Sequence, residues 1–527
     1  MKTIYNFIVL ACLMLVLTVH AEARFLKMGL NISGFNTLDP HYAASFSDRI
    51  LADMVFNGLI RFTPGHAPDL EPDLAVNIPE PEIINGVQTW TFHLRKGVFF
   101  HPVPGLPRHG VTAKDIVASF QKTKDPAQSA YAGGYDGISI KALGPYTVRF
   151  IVDPPQSPLL FLPKLANYAG GFIVGRFPDP VHPGRQILTG TGPFCLPETV
   201  GKKSCLLRAH KAYFRGRPRL DGVKIFFLPD SATRLAAFDR DLDLITGESV
   251  SSWIDQVAGK KNIIIDSLGV SETATIHFNT SIPPFNDIRV RKAVAHALDR
   301  DLFLKPFGQG MAKKVYSPVP PFMPGALQKN QVLMLGLDYP TNPDKARSLL
   351  AQAGYPDGFT LNVVASELGQ YLKNYQTLKK QLARIGIKVN IHLADHATMH
   401  KLIRTGRCPL VIYEAFRPNT DELLSRFFHS ESIVAGGKKP GTNFSFYTGI
   451  DDLLEKARAE QVTMNQIRLW EYAQVKLLED MAVYPLHFRN QTYVRKKCLD
   501  YGHSVVAAMA LYPQITEKTF INSGKCP

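Results

Sequence analysis

The sequence predicts an α/β protein built from more than one domain, and three observations carry that prediction. A chain of 527 residues is longer than a single hydrophobic core organises. Between 342 and 393 a helix, a strand, a second helix and a second strand follow one another, the alternation that builds an α/β lobe. Around 88–101 the pattern instead alternates residue by residue and ends at a Lys96-Gly97 turn, so this region reads as strand and hairpin, distinct from that lobe.

The first 23 residues stand apart from the rest. Lys2 precedes an apolar run over 7–19, and His20-Ala21-Glu22-Ala23 follows. This is the pattern of a secretory leader cleaved after Ala23 or after Ala21, and the run is short for a membrane span. Cys12 lies inside the run with apolar residues after it, which argues against a lipid-anchored cysteine at the mature start. Five cysteines follow the leader: Cys195, Cys205, Cys408, Cys498 and Cys526. Export exposes them to oxidant. Cys195 and Cys205 flank LPETVGKKS, which reads as a hairpin turn, and a cross-strand bridge between them is the expectation. The odd count leaves at least one thiol unpaired.

Hydrophobic residues at 45% and charged ones at 20% are ordinary globular values, which argues against disorder and a multi-span membrane protein. The net charge is +15. Yet Lys and Arg are scattered and no recognised nucleic-acid motif occurs, so nucleic acid is not an expected partner. The charge reads as a solvated surface that also suits anionic ligands.

After the leader, 25–32 is a strand that ends at Ser33-Gly34. A turn over Asn36-Thr37-Leu38-Asp39-Pro40 follows, and a helix over 45–58 presents Ile50, Leu51, Met54 and Val55 on one face. In 88–101, QTWTFHLRKGVFFH, the residues Trp90, Phe92 and Leu94 point inward. Thr112 caps a helix with Asp115 three residues on, and 147–152 is a strand behind the Gly144-Pro145 turn. Gly190-Thr191-Gly192-Pro193-Phe194 lacks the lysine and hydroxyl of a phosphate loop and leads into a strand, so it is a tight turn entering the Cys195 hairpin. A strand over 223–228 and a helix around 231–238 complete this section.

The stretch 276–303, IHFNTSIPPFNDIRVRKAVAHALDRDLF, changes hydrophobic period within a few residues. Its start alternates like a strand, Pro283-Pro284 forbids continuation, and Asp287 opens a helix. Val290, Ala293, Val294, Ala297 and Leu298 share one face of it, with Arg289, Arg291, Lys292 and His296 elsewhere. Asn342 caps the next helix with Pro343 at its first position, and Gly354 ends it. Strand 361–365, helix 371–385 and strand 387–393 follow. A hydrophobic strand from Val411 then runs through a polar turn at Pro418-Asn419 into a helix from Asp421. The last helix, 466–481, leads to Pro485-Leu486-His487-Phe488-Arg489 and a strand expected to return to the first lobe.

Several of these landmarks, in this order, resemble the extracytoplasmic solute-binding proteins of family 5, the peptide- and nickel-binding receptors of ABC importers. They are T-L-D-P before a helix ending N-G-L, T-F-x-L-R-K-G-V-x-x-H, T-A-x-D-I-V-x-S-F, and G-T-G-P-F. The stretch Tyr213-Phe214-Arg215-Gly216-Arg217-Pro218 follows, and then Asn279 ahead of Pro284-Phe285, Asp287, Val290-Arg291 and Ala293. The resemblance implies a periplasmic-binding-protein-like fold, two lobes joined by a hinge plus an extra β-rich domain. It places the leader at 1–23, lobe I at 24–46, 170–272 and 478–527, accessory domain II at 47–169, and lobe III at 273–477. It further implies a periplasmic monomer that closes on a small-molecule or peptide-like solute and delivers it to an ABC permease in the inner membrane, with no cofactor and no catalytic residue. A metal- or nickel-chelate-binding receptor of the same fold is the alternative, and a secreted hydrolase a further one.

The ligand region is 411–428, VIYEAFRPNTDELLSRFF, where a strand end and a polar turn build a site. By the resemblance, peptide-binding members carry here a tryptophan and, three residues on, an aspartate that holds the peptide amine. Tyr413 stands at the first position and Phe416 at the second, with Arg417 next. An ammonium buried beside Phe416 and Arg417 lacks its counter-ion, a cost of several kcal/mol. Glu414 falls on the strand face opposite Tyr413. Gln370 stands where dipeptide binders carry an arginine for the ligand carboxylate. A standard dipeptide is therefore not the expected solute, whereas the planar fork of Arg417 suits a carboxylate or phosphate.

Asn419 and Asp421 in the same turn, with Ser33, Tyr135, His487 and Arg489, complete the candidate ligand-binding set. His392, His396 and His400, with Asp395, form the metal reading. His392 ends the predicted strand and Asp395 suits a helix N-cap, so no metal ligand is assigned. Neither G-x-S-x-G nor H-E-x-x-H occurs, and no catalytic residue is assigned.

Overall fold

The computed structural model of the protein describes residues 24–522 apart from 44, 85, 197–199, 270–271, 368, 508 and 510, and apart from the side chains at 169, 369 and 370. The leader, Cys12 and Cys526 lie outside the described residues. Among the described residues no helix is long and apolar enough to cross a membrane.

The largest sheet has seven strands, in the order Phe194–Cys195, Ser204–Ala209, Gly222–Phe227, Phe25–Leu30, Leu244–Thr246, Gln491–Lys496 and Ile263–Leu268. Phe25–Leu30 lies between two parallel neighbours, Gly222–Phe227 and Leu244–Thr246. Leu26, Met28 and Leu30 are buried against Ile50, Leu51 and Met54 of the helix Phe46–Val55, as the apolar periods of the two segments require. The sheet draws on the start, the middle and the C-terminal part of the chain.

A second sheet orders Ala312–Lys314, Val483–Arg489, Thr273–Phe278 and Leu410–Ala415, all antiparallel. All six residues of Thr273–Phe278 are buried, because the strand is interior. Beyond Pro283-Pro284, the carboxylate of Asp287 accepts the Arg289 N–H at 2.8 Å and opens the helix Ile288–Ala297. Val290, Ala293, Val294 and Ala297 face the core. Arg291 and His296, expected elsewhere, are buried as well. The Arg291 guanidinium spends its donors on the carbonyls of Phe285 (2.6 Å), Asp480 (2.7 Å) and Met481 (3.1 Å), and His296 Nδ1 lies 2.9 Å from the Pro340 carbonyl. Partners of this kind make burial of polar side chains tolerable, and apolar periodicity does not see them.

Beside this sheet, Thr360–Ser366 and Lys388–Ala394 pair in parallel and are joined by the helix Gly369–Leu382, the predicted strand–helix–strand unit. A third, smaller body has an antiparallel sheet in the order Glu82–Ile84, Val87–His93, Thr147–Val152 and Ile138–Gly144. Trp90, Phe92, Phe150 and Phe161 build its core. Its helix Ala113–Lys124 starts where Asp115 accepts the Thr112 N–H at 2.8 Å.

Two expectations are corrected here. The strand Val483–Arg489, placed with lobe I by the boundary at 478, is an interior strand of the second sheet, and the return to the largest sheet comes only at Gln491–Lys496. Asn490 stands at that crossing, its Nδ2 donating to Ser267 Oγ at 2.7 Å and to the Gly310 carbonyl at 3.2 Å. Cys195 and Cys205 are free thiols rather than a bridge. The hairpin register sets Cys195 opposite Arg208, three residues along from Cys205. At about 3.3 Å per residue, that offset exceeds the reach of a disulfide. Cys498 is disulfide-bonded.

Candidate solute-binding site

A cavity of about 330 Å³ opens beside the C-terminal end of the strand Leu410–Ala415. Arg49, from the helix that packs on the largest sheet, and Leu511 reach it from one side. From the other come Tyr371, His396, Met399, His400 and the run Ile412 to Arg417, with Glu272 at the edge. A strand end facing a helix across a crevice is where α/β proteins place ligands.

Glu414 was expected on the face away from Tyr413, yet both residues line the cavity. Glu414 is buried, accepting from Asn374 Nδ2 at 2.8 Å and from Arg489 Nε at 3.0 Å. Arg489 also pairs with Glu272. Burial pushes the Glu414 carboxyl up to about 7, with Arg489 pulling it back and Glu272 adding to the rise. His487 sits behind this group, with Nε2 3.2 Å from Asn374 Oδ1, and burial and Arg489 hold it down to about 3. Neutral His487 therefore donates to Asn374, which donates to Glu414. Of the two candidates, His487 is a buried support outside the cavity, and Arg489 is occupied by two carboxylates.

Tyr413, Phe416 and Arg417 come together on the cavity wall. Arg417 is half-buried; its Nη1 donates to the Phe416 carbonyl at 2.8 Å and its guanidinium lies 5.0 Å from the Phe427 ring centre. Burial lowers its pKa, and the group stays charged. Arg49 donates to the Ala43 carbonyl at 3.3 Å and lies over the Tyr168 ring at 4.7 Å. Among the described residues neither arginine has a carboxylate partner.

The remaining candidates do not join this group. Asn419 caps the helix Thr420–Phe428 by accepting the Glu422 N–H at 2.8 Å, and Asp421 pairs with Arg458 at 3.1 Å, so both serve the turn itself. Tyr135 is 3% exposed, in the core of the smaller body, with its hydroxyl donating to the Lys164 carbonyl at 2.6 Å. Ser33 is exposed in the loop after Phe25–Leu30 and is not among the lining residues. Gln370 lies in the first turn of Gly369–Leu382, its side chain outside the described residues.

The histidines separate. His392 is exposed on the strand Lys388–Ala394, whereas His396 and His400 line the cavity with their Nε2 atoms 3.1 Å apart. Asp395 caps the helix His396–Ile403 through the Thr398 N–H at 2.9 Å. Among the described residues no group of three or more His, Cys, Asp or Glu is placed to hold a metal. The three histidines weighed as a metal set stand on different elements, His392 on the strand Lys388–Ala394 and His396 and His400 on the helix His396–Ile403. The sequence also left Arg49, Glu272, Tyr371, Met399 and Leu511 unassigned. Of these only Arg49 had a readable signal, a cation on the helix that follows the first strand.

The profile of the bacterial extracellular solute-binding proteins, family 5, matches residues 69–433. Heme-binding protein A of Haemophilus influenzae is 28% identical over 80% of this chain and 80% of its own. The dipeptide-binding protein of Escherichia coli is 26% identical over 81% and 82%. Among solved structures, MoaA of A. tumefaciens R10 in complex with mannopinic acid is 33% identical, with a TM-score of 0.75 over 95% of this chain and all of that one. HbpA2 of Haemophilus parasuis, 22% identical, shares the fold at a TM-score of 0.78 over 94% of this chain and 99% of its own. The chain therefore belongs to the family 5 extracellular solute-binding proteins, the two-lobed substrate receptors of ABC importers.

Proposed function

We propose that this receptor captures a small acidic solute in the cavity beside Tyr413 and Arg417, acting as a periplasmic monomer after removal of its leader. The observation that carries the reading is the pair of guanidiniums, Arg49 and Arg417, that line the cavity without a carboxylate partner among the described residues. Counting Arg49, Arg417 and Arg489 against Glu272 and Glu414 leaves the site net positive, more so when Glu414 is protonated. A solute carboxylate gains a forked, charge-assisted partner at Arg417. A solute ammonium finds both nearby carboxylates already engaged by Arg489. The relative at 33% identity holds mannopinic acid, which is consistent with this preference.

Lobe closure places the solute out of water. Phe416 packs against both the core of the smaller body and the core that includes Leu423 and Leu424, and Ser157 Oγ donates to Gln466 Oε1 at 2.6 Å between the same two regions. These are contacts that opening would break. We assign domain II and lobe III as the partners across them.

The test is to extract and identify by mass spectrometry whatever accompanies the natively purified protein, and to titrate it calorimetrically with mannopinic acid, heme and the dipeptide Met-Leu. An extract that carries carboxylates but no free peptide amino terminus, or binding of mannopinic acid with none of Met-Leu, supports the reading. Capture of a dipeptide in preference to the acid overturns it.

A further inference from the structure

Two residues of the cavity wall, His396 and His400, join Arg404 and Ser366 behind it in a directed chain of hydrogen bonds. Arg404 Nη1 lies 2.9 Å from His400 Nδ1, His400 Nε2 lies 3.1 Å from His396 Nε2, and His396 Nδ1 lies 3.1 Å from Ser366 Oγ. A guanidinium only donates, so His400 Nδ1 accepts and its proton sits on Nε2. That proton is given to His396 Nε2, whose own proton then sits on Nδ1 and faces Ser366. Both imidazoles are thus neutral, and each Nε2 is turned toward the other. Burial, then Arg404 and His396, hold the His400 pKa below its ordinary value.

The surroundings limit what can charge this pair. On their own helix stand Arg404, Lys401 and Asp395, the last engaged as the N-cap. Tyr371 packs on His396 at 5.2 Å between ring centres, and Tyr413 on His400 at 6.0 Å. Arg49, Arg417, Glu272 and Glu414 share the cavity, and both carboxylates pair with Arg489. Met399 and Leu511 add no charge. An imidazolium here therefore needs an anion brought in from outside.

We propose that the His396–His400 pair is the charge-sensing element of the solute site: an acidic solute draws one solvent proton onto the pair. The proton adds at His396 Nε2, the acceptor nitrogen of the contact between the two rings, His400 Nδ1 being held by Arg404. With two N–H groups then face to face, the Nε2 contact opens and one Nε2–H turns to the solute anion. Binding takes up about one proton. The pKa is raised in the bound state, so the gain in affinity is fully present below the free-state pKa and is lost as pH rises through the bound-state value. This inference rests on the acidic-solute reading above.

Long-range 1H–15N NMR of the full chain, free and saturated with mannopinic acid, tests it together with calorimetry in two buffers of different ionisation enthalpy. The free protein should show the Nε2–H tautomer at His400 and the Nδ1–H tautomer at His396. With the acid bound, one ring should ionise about two pH units higher, with uptake of most of one proton between the free-state and bound-state pKa values and roughly tenfold tighter binding at about pH 6 than at pH 8. Glu414 titrates in the same window, so the pair's share is the uptake and pH dependence that persist in Glu414→Gln; adding His400→Gln, which keeps an acceptor for Arg404, to that variant should remove both together. A merely structural role would weaken binding equally at both pH values. Binding of mannopinic acid without proton uptake, or the opposite tautomers in the free protein, overturns the inference and leaves the acidic-solute reading standing. Failure of the acid to bind at any pH, with capture of the dipeptide Met-Leu instead, overturns both.

Discussion

The two sides of the cavity hold charge in opposite ways. Around Glu414 each charge has its partner: Arg489 bridges Glu414 and Glu272, Asn374 fills the other Glu414 oxygen, and His487 backs Asn374. Around Arg417, among the described residues, the guanidiniums of Arg49 and Arg417 meet carbonyls, ring faces and, for Arg49, the Tyr131 side chain, and no carboxylate. A buried charge with a complete shell serves the fold, since losing one partner strands the other. A half-buried charge with no counter-ion is a cost until a ligand supplies one. The difference separates residues that build the cavity from residues that we propose recognise what enters it, and composition alone would have pooled them.

The largest expected effect breaks the paired side. Arg489→Met leaves Glu414 and Glu272 without their common cation and should destabilise the protein by about 3–5 kcal/mol in urea unfolding; a variant as stable as the parent would show that the cluster contributes little. On the unpaired side, Arg417→Ala should weaken mannopinic acid binding about tenfold to a hundredfold in calorimetry while the unfolding midpoint hardly moves. A large midpoint shift with unchanged affinity would reverse the two roles.

Glu414→Gln sharpens the comparison through pH. Because burial raises the folded-state pKa of Glu414 to about 7, the folded protein holds a proton that the unfolded chain has released above the ordinary value of 4.5. Stability should therefore fall in the parent as pH rises from about 4.5 to about 7, and this component of the slope should disappear in the variant. Denaturation at several pH values reads it directly. The smallest effect is expected at Asn419→Ala, which removes a helix cap and should cost about 1 kcal/mol of stability with solute affinity unchanged. A marked loss of affinity there would return Asn419 to the solute site.

Helix starts were readable because a cap is a contact between near neighbours. Asp287, Asn342 and Asp395 each accept an N–H two or three residues ahead, as their positions before apolar periods predict. The strand–helix–strand unit over 360–394 and the inward face of the helix after the first strand followed from apolar period. The Cys195–Cys205 expectation failed because flanking a turn does not set register, and register decides which side chains meet.

By itself the sequence determined the local elements, the family and the stretch around Tyr413 and Arg417 where we propose the solute site. Only the tertiary structure decided which charges are spent within the protein. Glu414 finds Arg489 across 75 residues, and His400 finds His396 one helical turn away but takes its tautomer from Arg404. Periodicity records whether a side chain faces inward, whereas the state of a charge depends on its partner, and distant partners are set by how strands pair and lobes pack.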